Sequence, residues 1–209
     1  VWSHECMHWH GGVYWGRSAL QARFAAASRS YRYHANCCKP FNWSTLSYMA
    51  DLTALSEQLA KLLLQQQKQL AVAESCTGGW LAKSLTDLAG SSRWFDRGFV
   101  TYSNAAKQDM LGVPAETLEE HGAVSEAVVE AMARGTLQRS RADITVSISG
   151  IAGPGGEVPG KPVGTVCFGL ATDKQIQSDT QHFEGDREAV RRQSVIHALT
   201  RLIDVLERG

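Results

Sequence analysis

The chain has 209 residues, 44% hydrophobic and 20% charged, which suits one globular domain with something appended. Formal net charge is zero, but residues 1–48 hold five basic residues against one acid and the remainder holds sixteen against twenty, so the folded part carries −4 and offers no broad electrostatic case for binding nucleic acid. No apolar run approaches the roughly 20 residues that span a bilayer, and the five cysteines form no disulfide framework, which reads as reduced, cytoplasmic usage.

Residues 1–48 do not resemble the rest of the chain. They hold four of the six tryptophans and four of the seven histidines, without helical or strand periodicity. They read as a non-domain N-terminal extension: upstream translated sequence or an expression remnant, with Met49 as the natural start. A targeting segment is the second reading, because residues 13–34 are rich in Arg and Ser and lack acids. His4, Cys6, His8 and His10 are of metal-ligand type, but their spacing matches no zinc motif.

The domain is expected over residues 49–209. Leu52, Leu55, Leu59, Leu62 and Leu63 recur at helical spacing. Residues 70–73 read as a short buried strand, followed by a helix from about Thr77 to Leu88 that Ala89-Gly90 ends. A strand at 99–102 leads into a short helix over 105–111, which Gly112-Val113-Pro114 closes. Residues 114–122 read as a linker with some helical character. Ser125 caps the next helix, whose apolar face includes Val128, Val129 and Met132. A strand at 143–149, a hairpin of 162–171 with 176–183, and a long helix from about Asp186 to Glu207 complete the chain. Alternating helices and strands predict an α/β fold, a three-layer α/β/α sandwich, and the hairpin makes its sheet mixed.

Three polar, glycine-containing segments stand where strands should end, at 73–79, 98–107 and 149–156. Ligands bind at such ends, because glycine turns and helix N-termini leave N–H groups unpaired. Ser75 is a candidate nucleophile, with Thr77-Gly78-Gly79 opening a helix that could hold an oxyanion. The same residues also suit a plain helix cap. Lys107, just inside a helix after a strand end, becomes a general base if desolvated; on the surface it is an ordinary cation. Tyr102 is placed to relay the proton or hold Ser75. The loop from Ser149 to Gly156 could form an anion nest, or merely connect elements. Arg187 suits an ion pair with Glu184 or Glu188 better than an anion site. Cys76 ranks behind Ser75, and His121, His182 and His197 show no ligand spacing.

The motifs AESCTGG (73–79), VTYSN (100–104), HGAVS (121–125) and SGIAGP (149–154) occur in the order seen in the CinA C-terminal domain family, which the chain resembles from about residue 52 to 207. That family comprises bacterial nicotinamide mononucleotide deamidases, and the stand-alone form is the closer match. The resemblance implies an α/β/α amidohydrolase with no metal or organic cofactor. It places the nucleophile at Ser75, the general base at Lys107 and the supporting tyrosine at Tyr102. Substrate contacts are expected from Thr77, Gly78, Gly79, Ser92, Asn104, Ser149, Gly150 and Gly153. The expected partner is a small-molecule nucleotide of pyridine-nucleotide salvage, with no nucleic acid and no membrane; assembly into a homo-oligomer stays open. The competing class is a non-catalytic nucleotide-binding module linked to competence or DNA damage. A serine peptidase or esterase is a weaker enzymatic alternative.

Overall fold

A computed structural model describes residues 43–208. The expectations for residues 1–42, including the metal-ligand types and the targeting segment, lie outside them. Helix α1 (Trp43–Gln65) is followed by β1 (Leu70–Glu74), α2 (Trp80–Thr86), a 3₁₀ turn (Ser91–Arg93) and β2 (Phe95–Val100). Then come α3 (Asn104–Leu111), α4 (Ala115–His121), α5 (Glu126–Gln138), β3 (Ile144–Gly150), β4 (Thr165–Thr172), β5 (Ile176–His182) and α6 (Arg187–Arg208).

The five strands lie in the order β2-β1-β3-β4-β5. The first three are parallel to one another, β4 runs antiparallel to β3, and β5 antiparallel to β4. The sheet is mixed because β4 and β5 are joined by a tight hairpin, which only antiparallel strands allow. Side chains alternate between its faces. Leu70 and Val72 of β1, Ile144, Val146 and Ile148 of β3, and Val166, Phe168 and Leu170 of β4 pack with the buried faces of α1, α2 and α6. Leu52, Leu59 and Leu63 are the α1 contribution, as the leucine spacing predicts. A smaller cluster on the other face joins Ala73 to Leu111, Val113, Leu118, Val128 and Met132.

That second face is built of small and hydroxylated residues. Thr145 Oγ1 donates to Ala133 O (2.9 Å), Ser147 Oγ to Val129 O (2.6 Å) and Ser149 Oγ to Ala123 O (2.6 Å). Helix α5 can therefore lie directly on the strands. Gly169 of β4 shows how close the approach is: a Cβ there would stand 2.4 Å from Val129 O.

Four segments differ from the sequence reading. Helix α1 begins at Trp43, inside the stretch read as an extension. Helix α2 starts at Trp80, not Thr77, because Gly78 and Gly79 both adopt positive φ (61° and 93°) and delay helical geometry. Strand β2 starts at Phe95, four residues early, and stops at Val100. Residues 115–121, read as a linker with some helical character, form a full helix that buries Leu118. Pro114 precedes this helix, where its missing N–H costs nothing.

Gly169→Ala should destabilise the domain by about 1–3 kcal/mol, the range typical of forced overpacking. Urea unfolding measures this; an unchanged midpoint would mean that α5 shifts freely.

Candidate active site

The parallel register decides what meets at the sheet edge. Glu74 ends β1 opposite Val100 of β2 and Ile148 of β3. One residue on, Ser75 N–H donates to Ile148 O (2.9 Å) and Thr101 N–H donates to Glu74 O (2.8 Å). Ser75 is thus fixed between the ends of two neighbouring strands. Ser103 then caps α3, its Oγ accepting from Ala106 N–H (3.0 Å), and Lys107 lies one turn inside that helix.

Lys107 is 1% exposed, among the largest fully buried side chains of the described residues. Its Nζ lies 3.0 Å from Ser75 Oγ and 2.9 Å from Thr101 O, and among the described residues no carboxylate is bonded to it. Burial pushes its pKa below the ordinary 10.5, partly opposed by the nearby Cys76 thiol if ionised. A neutral amine that donates one N–H to Thr101 O keeps its lone pair for the serine proton. Cys76 has the opposite chemistry. Burial pushes its thiol up to about 12, so it stays protonated and is no rival nucleophile.

Ser75 and Lys107 open into a cavity of about 370 Å³. Tyr102, Asn104, Ala123, Val124 and residues 149–156 line it, together with Arg187. Of the sequence-predicted substrate residues, Asn104, Ser149, Gly150 and Gly153 therefore reach the same cavity as Ser75. Tyr102 does too, but at its mouth: it is 61% exposed, and its hydroxyl accepts from Arg187 Nη2 (3.0 Å), not from Ser75 or Lys107. Arg187 also donates to Gly153 O (2.8 Å), so the expected pairing with Glu184 or Glu188 gives way to a bridge between the tyrosine and the loop.

The other expected contacts fall elsewhere. Ser92 sits in the 3₁₀ turn that leads into β2, at the opposite end of the strands from Ser75. Thr77 is fully buried. Gly78 and Gly79 line a separate groove of about 410 Å³ with Trp80, Lys83, Asp87 and Arg191. Their N–H groups are also occupied: Gly78 donates to Ser75 O (3.1 Å), and Gly79 to Glu74 Oε2 (3.0 Å).

Glu74 is the residue that sequence reasoning missed. It is wholly buried, and its carboxylate also accepts from Leu81 N–H (3.1 Å) and Ala82 N–H (2.8 Å). The first turn of α2 is therefore capped from the end of β1, where negative charge is favourable. The signal available was an acid at the end of an apolar strand, five to eight residues before its partners. The N–H of Thr77 is left without an acceptor among the described residues, and that of Cys76 has only its own thiol sulfur.

Fold and site together define an α/β/α domain with a serine–lysine pair over the carboxyl ends of its parallel strands. Residues 52–206 match the model of the CinA C-terminal domain, and the chain belongs to that family. It is 56% identical over 154 residues to the nicotinamide-nucleotide amidohydrolase PncC of Escherichia coli K12, covering 73% of this chain and 93% of that one. The Pseudomonas putida protein of the same name is 48% identical over 157 residues, covering 75% and 98%. A crystal structure of a CinA superfamily protein from Klebsiella pneumoniae superposes with a TM-score of 0.74 at 42% identity, covering 76% of this chain and 99% of that one.

A lysine whose pKa is depressed by folding binds its proton more weakly than in the unfolded chain. Its contribution to stability is then complete above 10.5 and is lost as pH falls through the lowered folded-state value. Between those limits the wild type should gain stability with rising pH more steeply than Lys107→Met. Parallel melting curves of the two proteins from pH 7 to 10 measure the difference; identical slopes would show that Lys107 titrates normally.

Proposed function

We propose that this chain hydrolyses the carboxamide of nicotinamide mononucleotide to nicotinate mononucleotide and ammonia, by a serine–lysine mechanism in pyridine-nucleotide salvage. The observation that carries this reading is the contact between Ser75 Oγ and a buried lysine amine. The names of the relatives supply the substrate.

Ser75 Oγ attacks the carboxamide carbon as neutral Lys107 takes its proton. The carbonyl oxygen becomes an oxyanion. The N–H of Cys76, which lines the cavity, is the donor for it, rather than the first turn of α2, which Glu74 occupies. The C–N bond then breaks, and Lys107 returns its proton to the nitrogen, releasing ammonia and leaving an acyl ester on Ser75. Water attacks the ester with Lys107 again as base, and Ser75 regains its proton as the acid leaves. One amine serves each half-reaction in turn.

The ribose phosphate needs a separate seat. With α2 closed by a carboxylate, we assign it to the rim of the cavity. There the N–H groups of Gly155 and Gly156 have no acceptor among the described residues, and the Arg187 guanidinium is exposed. Both glycines have positive φ, which glycine adopts without steric cost.

Ser75→Ala should abolish ammonia release with the fold intact, and Lys107→Met should lower kcat by ~10²–10⁴-fold, the usual range for a general base. Lys161→Met should lose much less, since Lys161 Nζ donates to His121 O on the surface. Wild-type kcat should rise with pH through the lowered Lys107 pKa, because the neutral amine is the active form. Near-normal turnover in Ser75→Ala would sink the mechanism.

Nicotinamide mononucleotide should also be hydrolysed far better than free nicotinamide. The scissile group is shared, so the difference must come from remote binding, which can appear in kcat as well as KM. Comparable kcat/KM values for the two amides would remove the reason for a phosphate seat and favour a general amidase.

A further inference from the structure

In a trans peptide plane the C=O and the following N–H point in opposite directions. Anything that grips a carbonyl from one side therefore turns the next N–H to the other. Three successive carbonyls after β1 are gripped in this way. Ser75 O accepts from Gly78 N–H (3.1 Å) within the turn. Cys76 O accepts from Arg191 Nε (3.0 Å) and Thr77 O from Arg191 Nη2 (2.7 Å). The N–H groups opposed to these carbonyls are those of Cys76, Thr77 and Gly78: Gly78 N–H donates to Ser75 O, Thr77 N–H has no acceptor among the described residues, and Cys76 N–H has only its own thiol sulfur.

Arg191 reaches this turn from α6, 115 positions away from Cys76 in sequence. It stands on the far side from the chemistry. It lines the groove with Trp80 and Lys83, and it is not among the residues that line the Ser75 cavity. Its guanidinium lies over the Trp80 ring, 5.4 Å from the centroid, which fixes the plane of the fork. Two donors in one rigid plane can hold two adjacent carbonyls at once. A lysine, with a single charged centre on a flexible stem, cannot hold both in the same way.

We propose that Arg191 is a positioning residue for the oxyanion donor: by holding Thr77 O behind the turn it keeps the opposed Gly78 N–H on Ser75 O, and that grip in turn keeps the N–H of Cys76, which lines the cavity, directed towards the oxygen of the carbonyl that Ser75 attacks. The inference rests on Ser75 being the nucleophile, and it adds a residue that never meets the substrate. An arginine that merely stabilised the fold would lower melting temperature without separating kcat from KM. One that orients an oxyanion donor acts on the transition state and leaves ground-state binding largely alone.

The test uses the full chain with nicotinamide mononucleotide, comparing wild type, Arg191→Ala, Arg191→Lys and Ser75→Ala by ammonia release. Arg191→Ala should lose about 10–10³-fold in kcat, up to the loss seen when an oxyanion donor is removed. Its KM should stay within about threefold, since uniform binding is untouched. Arg191→Lys should fall between it and wild type. Millimolar guanidinium should restore part of the kcat of Arg191→Ala but none of that of Ser75→Ala. Unchanged kcat in a folded Arg191→Ala, or a loss wholly in KM, would overturn the proposal. If the alanine variant does not fold, the same kcat and KM split in Arg191→Lys decides. A wild-type chain that releases no ammonia sinks the reading of the reaction, and this inference with it; an active wild type with a fully active Arg191→Ala overturns this inference alone.

Discussion

Parallel pairing of β1 with β2 is the constraint on which the site depends. The register that sets Glu74 opposite Val100 also sets Ser75 beside Thr101, one residue beyond each strand. Thr101 then offers its carbonyl to Lys107, and α3 delivers the lysine to the gap between the two ends. A one-residue slip would send alternate side chains to the wrong face and move both groups by a residue spacing. The serine–lysine distance is thus a property of the sheet, not of two flexible side chains. Burial does the rest, since a lysine with a carbonyl and a hydroxyl for company, and no carboxylate, is held more weakly in its charged form.

The turn after Ser75 shows how neighbouring polar groups divide the available donors. A helix N-terminus is a ready anion site, and here the protein fills it with its own Glu74. The cap satisfies orphan N–H groups that would otherwise compete for any anion in the vicinity. It also closes α2 to any other anion, whereas the rim of the cavity offers the loop glycines and Arg187. Glu74 and Arg191 hold the same turn from two directions, one through the helix after it and one through its carbonyls.

Much of the fold is written in local patterns. The leucines of α1 announce one buried face, and the strands of the central sheet read as short apolar runs between glycine turns. That Ser75 and Lys107 should meet was legible because both follow strand ends and their motifs stand in the order of a known family. Tertiary contacts were not legible. Gly78 and Gly79 look like donors in sequence, and only three dimensions show that Glu74 and Ser75 O already occupy them. Ser92 follows the family resemblance but precedes its strand, which puts it at the wrong end of the sheet. The partners of Arg187 and Arg191 lie 85 and 115 positions away, beyond any periodicity argument, so a solvated ion pair was the natural reading for Arg187.

The hydroxyl ladder under α5 has a consequence for the wall of the cavity. From Val129 to Ala133 the helix advances about 6 Å, and from Thr145 to Ser147 the strand advances about 6.6 Å. The two lattices come into step over this interval, like the scales of a vernier, so each hydroxyl finds a carbonyl. A third rung, Ser149, reaches past the helix to Ala123, whose segment faces Ser75 across the cavity. The far wall is therefore indexed to the same sheet that carries Ser75. A helix held only by apolar contact could creep along the strands by fractions of a residue, whereas this one has a single position of coincidence, and the width of the cavity inherits it.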